Sequence, residues 1–88
     1  MSSEYDKLRN WIEEFEDIVA IINKGETLSP GKKEKAEHIK SRVEDELKKL
    51  EGIIDQRLAE RIKGVANVIC NGGGNAPSLL QDLLKDLI

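Results

Sequence analysis

Ala36-Glu-His-Ile39-Lys-Ser-Arg-Val43-Glu-Asp-Glu-Leu47-Lys-Lys-Leu50-Glu-Gly-Ile-Ile54-Asp-Gln-Arg-Leu58-Ala-Glu-Arg-Ile62-Lys-Gly-Val65-Ala-Asn-Val-Ile69 repeats an apolar residue every third or fourth position without a break. The steps average about 3.67 residues, which is one stripe along an α-helix. From Ala36 to Leu58 they run three, four and four, an eleven-residue pattern that predicts a straight or slightly right-handed helix and bundle-like packing.

Read as one element, the central helix runs from Pro30 to about Cys70 and is roughly 60 Å long at 1.5 Å per residue. A chain of 88 residues has a radius of gyration of only about 12 Å when compact. Such a helix does not fit inside its own monomer, so the continuous reading predicts a homodimer that completes the bundle. Gly52 is the main weak point, because a glycine inside a helix costs up to about 1 kcal/mol and is also a good helix stop, and a continuous helix can bend at Gly52 or Gly64. Continuity is favoured because Leu50-Glu-Gly-Ile-Ile-Asp55 lacks the polar residues of a reversing loop. A break at Gly52 gives the alternative, a compact four-helix bundle.

Upstream, Tyr5, Leu8, Ile12, Phe15, Val19 and Ile22 alternate steps of three and four, a coiled-coil-like seam over about 3–24. Trp11, Ile18 and Ile21 widen that face, so more than one neighbour must cover it. Gly25 suits the left-handed position that closes a helix, and Ser29-Pro30 reads as an N-cap followed by proline at the first helical position. The short connection makes the first and central helices an antiparallel hairpin.

Downstream, Asn71-Gly-Gly-Gly-Asn75 reads as a flexible linker over 71–76. The last helix, about 77–88, carries Leu79, Leu80, Leu83, Leu84, Leu87 and Ile88 on one side. About twelve residues do not hold a helix alone in water, so this segment must dock, on the second half of the central helix or in a partner's groove. The whole is a single all-α domain: an N-terminal αα-hairpin, a long central helix and a short amphipathic C-terminal helix.

Composition narrows the function. Charged residues make up 35% of the chain and the net charge is −3, so no bulk positive field draws in nucleic acid. No apolar run approaches the eighteen or so residues that span a bilayer, and Met1-Ser-Ser-Glu-Tyr-Asp lacks the pattern of a secretory signal, so the expected location is the cytoplasm, with no membrane contact. Cys70 is the only cysteine, which rules out an intrachain disulfide and reads as a small buried thiol. His38 is the only histidine, and Glu34, Glu37 and His38 lack the repeat on a second helix that a bundle metal site needs. On one straight helix Cys70 and His38 lie about 48 Å apart, too far for a nucleophile and base. No strand, Lys-Ser/Thr or spaced glycine motif accompanies the triple glycine, so it is not a phosphate loop. No catalytic, metal or cofactor site is expected.

Two functional readings remain. The first is a non-enzymatic helical protein–protein interaction module, an adaptor, inhibitor or assembly subunit. It uses Leu80, Leu83, Leu84 and Leu87 toward a partner and Trp11, Phe15, Ile18, Ile54, Leu58 and Ile62 in the dimer or core. The alternative is a small dimeric nucleic-acid-binding regulator using Lys32, Lys33, Lys35, Lys40 and Arg42 at the start of the central helix, where the helix dipole prefers acids.

Overall fold

A computed structural model describes residues 3–87. They form α1 (Ser3–Glu13), α2 (Glu16–Asn23), α3 (Pro30–Lys49), α4 (Gln56–Cys70) and α5 (Ala76–Asp86) and no strand, so the class is all-α. Chain numbers that rise along α1 and α2 fall along α3: Trp11 meets His38 and Asp17 meets Lys35, as an antiparallel hairpin requires. α1 packs on α3, α3 on α4, α4 on α5 and α5 on α2, closing a four-membered ring in which α1 and α2 make one arm.

The long central helix predicted from the sequence is two helices. A 60 Å rod would overrun a molecule whose longest extent is 37 Å. α3 ends at Lys49, Gly52 takes φ +85°, and the Ile53 and Ile54 N–H groups both donate to the Leu50 carbonyl at 2.8 and 2.9 Å. Asp55 then caps α4, its Oδ1 accepting from the N–H of Arg57 at 2.7 Å and of Leu58 at 3.4 Å. The reversal therefore rests on one glycine and one aspartate, with the Glu51, Ile53 and Ile54 N–H groups bonded within the local backbone. The unbroken stripe did not discriminate, because α3 and α4 lying side by side turn the same apolar register toward one core. With them folded together, no helix is too long for the monomer and the core closes within one chain.

Gly52 also separates the two descriptions by sign. In a continuous helix Gly52→Ala stabilises by about 1 kcal/mol through propensity. At φ +85° the same change forces a left-handed alanine and destabilises by about 1–2 kcal/mol. A lower urea midpoint for Gly52→Ala is the expected result, and a higher one would restore the single helix.

The first predicted helix is likewise divided at Glu14–Phe15. There the Glu14 N–H reaches the Trp11 carbonyl at 3.1 Å and the Phe15 N–H the Ile12 carbonyl at 3.1 Å, the tighter bonding of a 3₁₀ turn. Such a turn rotates the chain about 120° per residue instead of 100°, so two residues of it swing the following segment by about 40°. That brings Ile18 from the edge of the seam to full burial and leaves Trp11 and Ile21 half-buried against the core.

The glycine stretch is a structured cap, not a flexible linker. Gly72, at φ +71°, donates to the Ile69 carbonyl and Gly73 to the Val68 carbonyl, both at 3.0 Å, the paired bonds of a left-handed helix end. A Cβ on Gly73 would sit 2.7 Å from Val68 Cγ1. The same pairing closes α2, where Gly25 and Glu26 donate to the Ile22 and Ile21 carbonyls. α5 begins at Ala76, which is fully buried, and docks against α2 as well as α4, where the sequence suggested α4 alone. Arg61 of α4 ties to Asp86 near its end. Ser29 caps α3 as expected, accepting from the Lys32 N–H at 3.3 Å.

Candidate functional site

Two grooves on the outside of the ring have apolar residues in their lining, and a third, of about 610 Å³, is lined by Asp55, Gln56, Arg57 and Glu60 alone. The larger of the first two, about 860 Å³, lies between α3 and α4 beside the Gly52 turn. Its floor is apolar: Leu47 is buried, while Ile54 and Ala59 pack partly buried on the core. Glu44, Asp45, Glu51 and Glu60 rim it against Lys48 and Lys63, four carboxylates to two amines. Lys63 stands 3.9 Å from Glu60, whereas Glu44, Asp45 and Glu51 form no ion pair with a described residue. At the turn beside it Ile53 is 75% exposed, the one large apolar side chain so placed among the described residues.

The second groove, about 510 Å³, lies between the α1–α2 arm and α5. Val19, Ala20, Pro77, Leu80 and Leu84 line its apolar part. Its charges balance, Arg9 and Lys85 against Glu13 and Glu16, and Arg9 already lies 3.9 Å from Glu13.

The leucines singled out for a partner are mostly in the core. Leu80, Leu83 and Leu87 are buried, and only Leu84 is half-buried, at the second groove. α5 therefore docks in cis, and its stripe is spent inside the chain. Of the residues assigned to the dimer or core, Phe15, Ile18 and Ile62 are buried, while Trp11, Ile54 and Leu58 form the margin of the core.

The five cations do not share a face. On a helix turning about 100° per residue, Lys33 and Lys35 point to sides about 160° apart. Lys40 falls with Lys33 on the flank whose charges reach Cys70 of α4, whereas Lys35 lies 3.6 Å from Asp17 on the opposite flank, shared with Arg42. Glu37 and Glu44 interrupt the first flank and Asp17 opposes the second, so α3 offers two diluted strips where a phosphate backbone needs one.

His38 is exposed at the margin of the core, where its ring meets Trp11 edge-on, with centroids 6.0 Å apart. No group of three or more His, Cys, Asp or Glu suited to a metal occurs among the described residues. Glu46 is buried, with one carboxylate oxygen 3.3 Å from Lys49 and the other without a hydrogen-bond partner, and it lines neither groove. Because α4 returns along α3, separation along one helix no longer keeps Cys70 from His38. Cys70 is buried in α4 whereas His38 is exposed against Trp11 of α1, and burial, then Glu37, with Glu44 adding and Lys40 opposing, pushes the Cys70 thiol up to about 11.

Cys70 yields a direct prediction. At pH 8 the native thiol should resist alkylation, reacting only in denaturant, because too little thiolate forms. Since its native pKa lies above the unfolded value, its contribution to stability is complete below about pH 9 and is lost as pH rises through about 11. Alkylation equally fast in native and unfolded protein would show the thiol to be open.

The apolar period does not mark Ile53, which lies off the stripe. Its signal was present: it stands about 100° off the register of Leu50, Ile54 and Leu58, next to a glycine.

Fold and surface define a small four-helix bundle with two apolar-lined outer grooves and one exposed apolar knob. The chain matches no protein family, no curated protein and no solved structure. No helix among the described residues is long and apolar enough to cross a membrane.

Proposed function

We infer that this chain is a non-enzymatic helical interaction module that binds another protein through the α3–α4 end of its bundle. The observation that carries this reading is Ile53, held in solvent by a well-bonded turn while every other large apolar side chain described is at least partly covered. A single exposed apolar residue is ordinary on a protein surface. Here its two chain neighbours, Gly52 and Ile54, line the α3–α4 groove, whose apolar residues are Leu47, Ile54 and Ala59, so the exposed side chain and the groove stand at the same end of the bundle. Ile54 and Leu58, assigned to an interface or core from the sequence, lie on the same turn and the start of α4.

The homodimer remains one form this module can take, with a second copy as the bound protein. A cytoplasmic setting is part of the proposal.

The test compares capture of cellular partners by the wild-type chain, by Ile53→Asp and by Gln81→Asp at the opposite groove. A specific partner should be retained by wild type and Gln81→Asp and weakened about tenfold or more by Ile53→Asp, as for a central interface residue. Light scattering on the same three proteins reads self-association. Binding or dimerisation that ignores Ile53→Asp but is lost with Gln81→Asp would move the function to the other groove.

A further inference from the structure

We propose that the α3–α4 groove takes a cationic amphipathic helix of a partner protein, a proposal that rests on the interaction-module reading above. The floor of Leu47, Ile54 and Ala59, with Ile53 beside it, suits the apolar stripe of a helix. The rim chooses its charge. Glu44, Asp45 and Glu51 all belong to the α3 side and its end, all are exposed, and none forms an ion pair with a described residue. A Lys or Arg flanking the partner's stripe lands against them: of the two rim lysines, Lys63 on the α4 side lies 3.9 Å from Glu60, and Lys48 on the α3 side offsets one carboxylate, leaving the rim acidic at four carboxylates to two amines.

The other occupants fit less well. A second copy docking this same face would set carboxylates against carboxylates, which is destabilising across an interface. Phosphate backbones and anionic lipid surfaces meet the same repulsion. The charge-balanced α2–α5 groove has no such preference, so the selectivity belongs to one groove and not to the protein's overall charge. From Ser41 to Glu51 the α3 wall is about 15 Å long at 1.5 Å per residue, which accommodates about three turns of partner helix. Exposed ion pairs contribute little each, so the apolar floor anchors the helix and the carboxylates select and steer it.

The probe is a synthetic helical peptide of about fifteen residues, leucine on one face and lysine on its flanks, with a counterpart in which every lysine is glutamate. Each is titrated into the full 15N-labelled chain and followed by amide chemical shifts. The lysine peptide should shift Ser41, Lys48, Ile53 and Glu60 and leave Asn23 and Gln81 in place, and the glutamate peptide should shift neither set. Glu44→Lys with Glu51→Lys, both at exposed positions, should weaken the lysine peptide at least tenfold and admit the glutamate peptide. Shifts centred on Asn23 and Gln81, unchanged affinity after charge reversal, or no shift at about 1 mM peptide, the weak limit of specific binding, would each overturn the proposal. The capture experiment separates it from its parent: a partner lost with Ile53→Asp but kept by the charge-reversed double variant ends the cationic-helix inference and leaves the interaction module standing. A partner indifferent to both ends both.

Discussion

Leu83→Asp should unfold this protein, while Leu84→Asp, one residue further along α5, should leave it folded. The two leucines are neighbours in one amphipathic pattern and read alike in the sequence. In the fold Leu83 is 1% exposed and Leu84 is only half-buried, at the edge of the α2–α5 groove. Truncating a buried leucine costs about 2–5 kcal/mol. Placing a carboxylate in the space adds several more, because a buried charge loses its hydration. A domain of this size has on the order of 4–13 kcal/mol of stability in all, so Leu83→Asp consumes most or all of it.

Circular dichroism melts decide the matter. Wild type and Leu84→Asp should show one cooperative transition, and Leu83→Asp a shallow curve with little helix at 25 °C. A Leu83→Asp protein that melts like wild type would mean that α5 is not docked as described, which would return its leucines to the role of a partner-binding stripe. The contrast also governs how binding data are read: loss of a partner in Leu83→Asp reports unfolding, whereas Leu84→Asp tests the groove itself.

The second large effect is expected at Phe15. Phe15→Ala should cost about 3–5 kcal/mol, lowering the melting temperature by on the order of 15–30 °C at about 4–8 °C per kcal/mol. Trp11→Ala should cost less, about 1–2 kcal/mol, although tryptophan is larger. The reason is position: Phe15 is 1% exposed at the 3₁₀ turn between α1 and α2, whereas Trp11 rests half-covered against His38 at the margin. Removing Phe15 leaves a cavity that the tight turn cannot collapse to fill. Trp11, the single tryptophan, stays in Phe15→Ala as a fluorescence reporter for guanidinium unfolding. Equal losses at the two sites would mean that Phe15 is no more central to the core than Trp11.

The helical class, the Ser29-Pro30 start, the Gly25 stop and the burial of Cys70 all follow from local chemistry: period, caps and a small apolar thiol. Such features act within a turn or two of the chain, which is why they can be read along it. The division of the central segment at Gly52 could not be read in the same way. Its stripe is the pattern of a helix facing a core, and that pattern is identical whether the core is covered by a second molecule or by the chain's own return. Asp55, the cap that makes the return possible, looks in isolation like one more solvated acid.

The candidate site was less legible than the fold. Ile54 and Leu58 were marked as interface or core, but Ile53, the residue that protrudes, was not. The acids of α3 look like a solvated helix face until α4 lies alongside and turns some of them into the rim of a groove. The lysines show the converse: grouped in the sequence from 32 to 42, they are parted by helical rotation onto two flanks with different neighbours.

By itself the sequence determined an all-α chain with helices of a stated register, because apolar period and end caps are local and additive. Only the tertiary structure decided that the long stripe folds back on itself, that Leu80, Leu83 and Leu87 are core, and that Glu44, Asp45 and Glu51 share one groove next to the turn that exposes Ile53. Those outcomes depend on which surfaces bury one another, a competition between distant segments that no window of sequence contains.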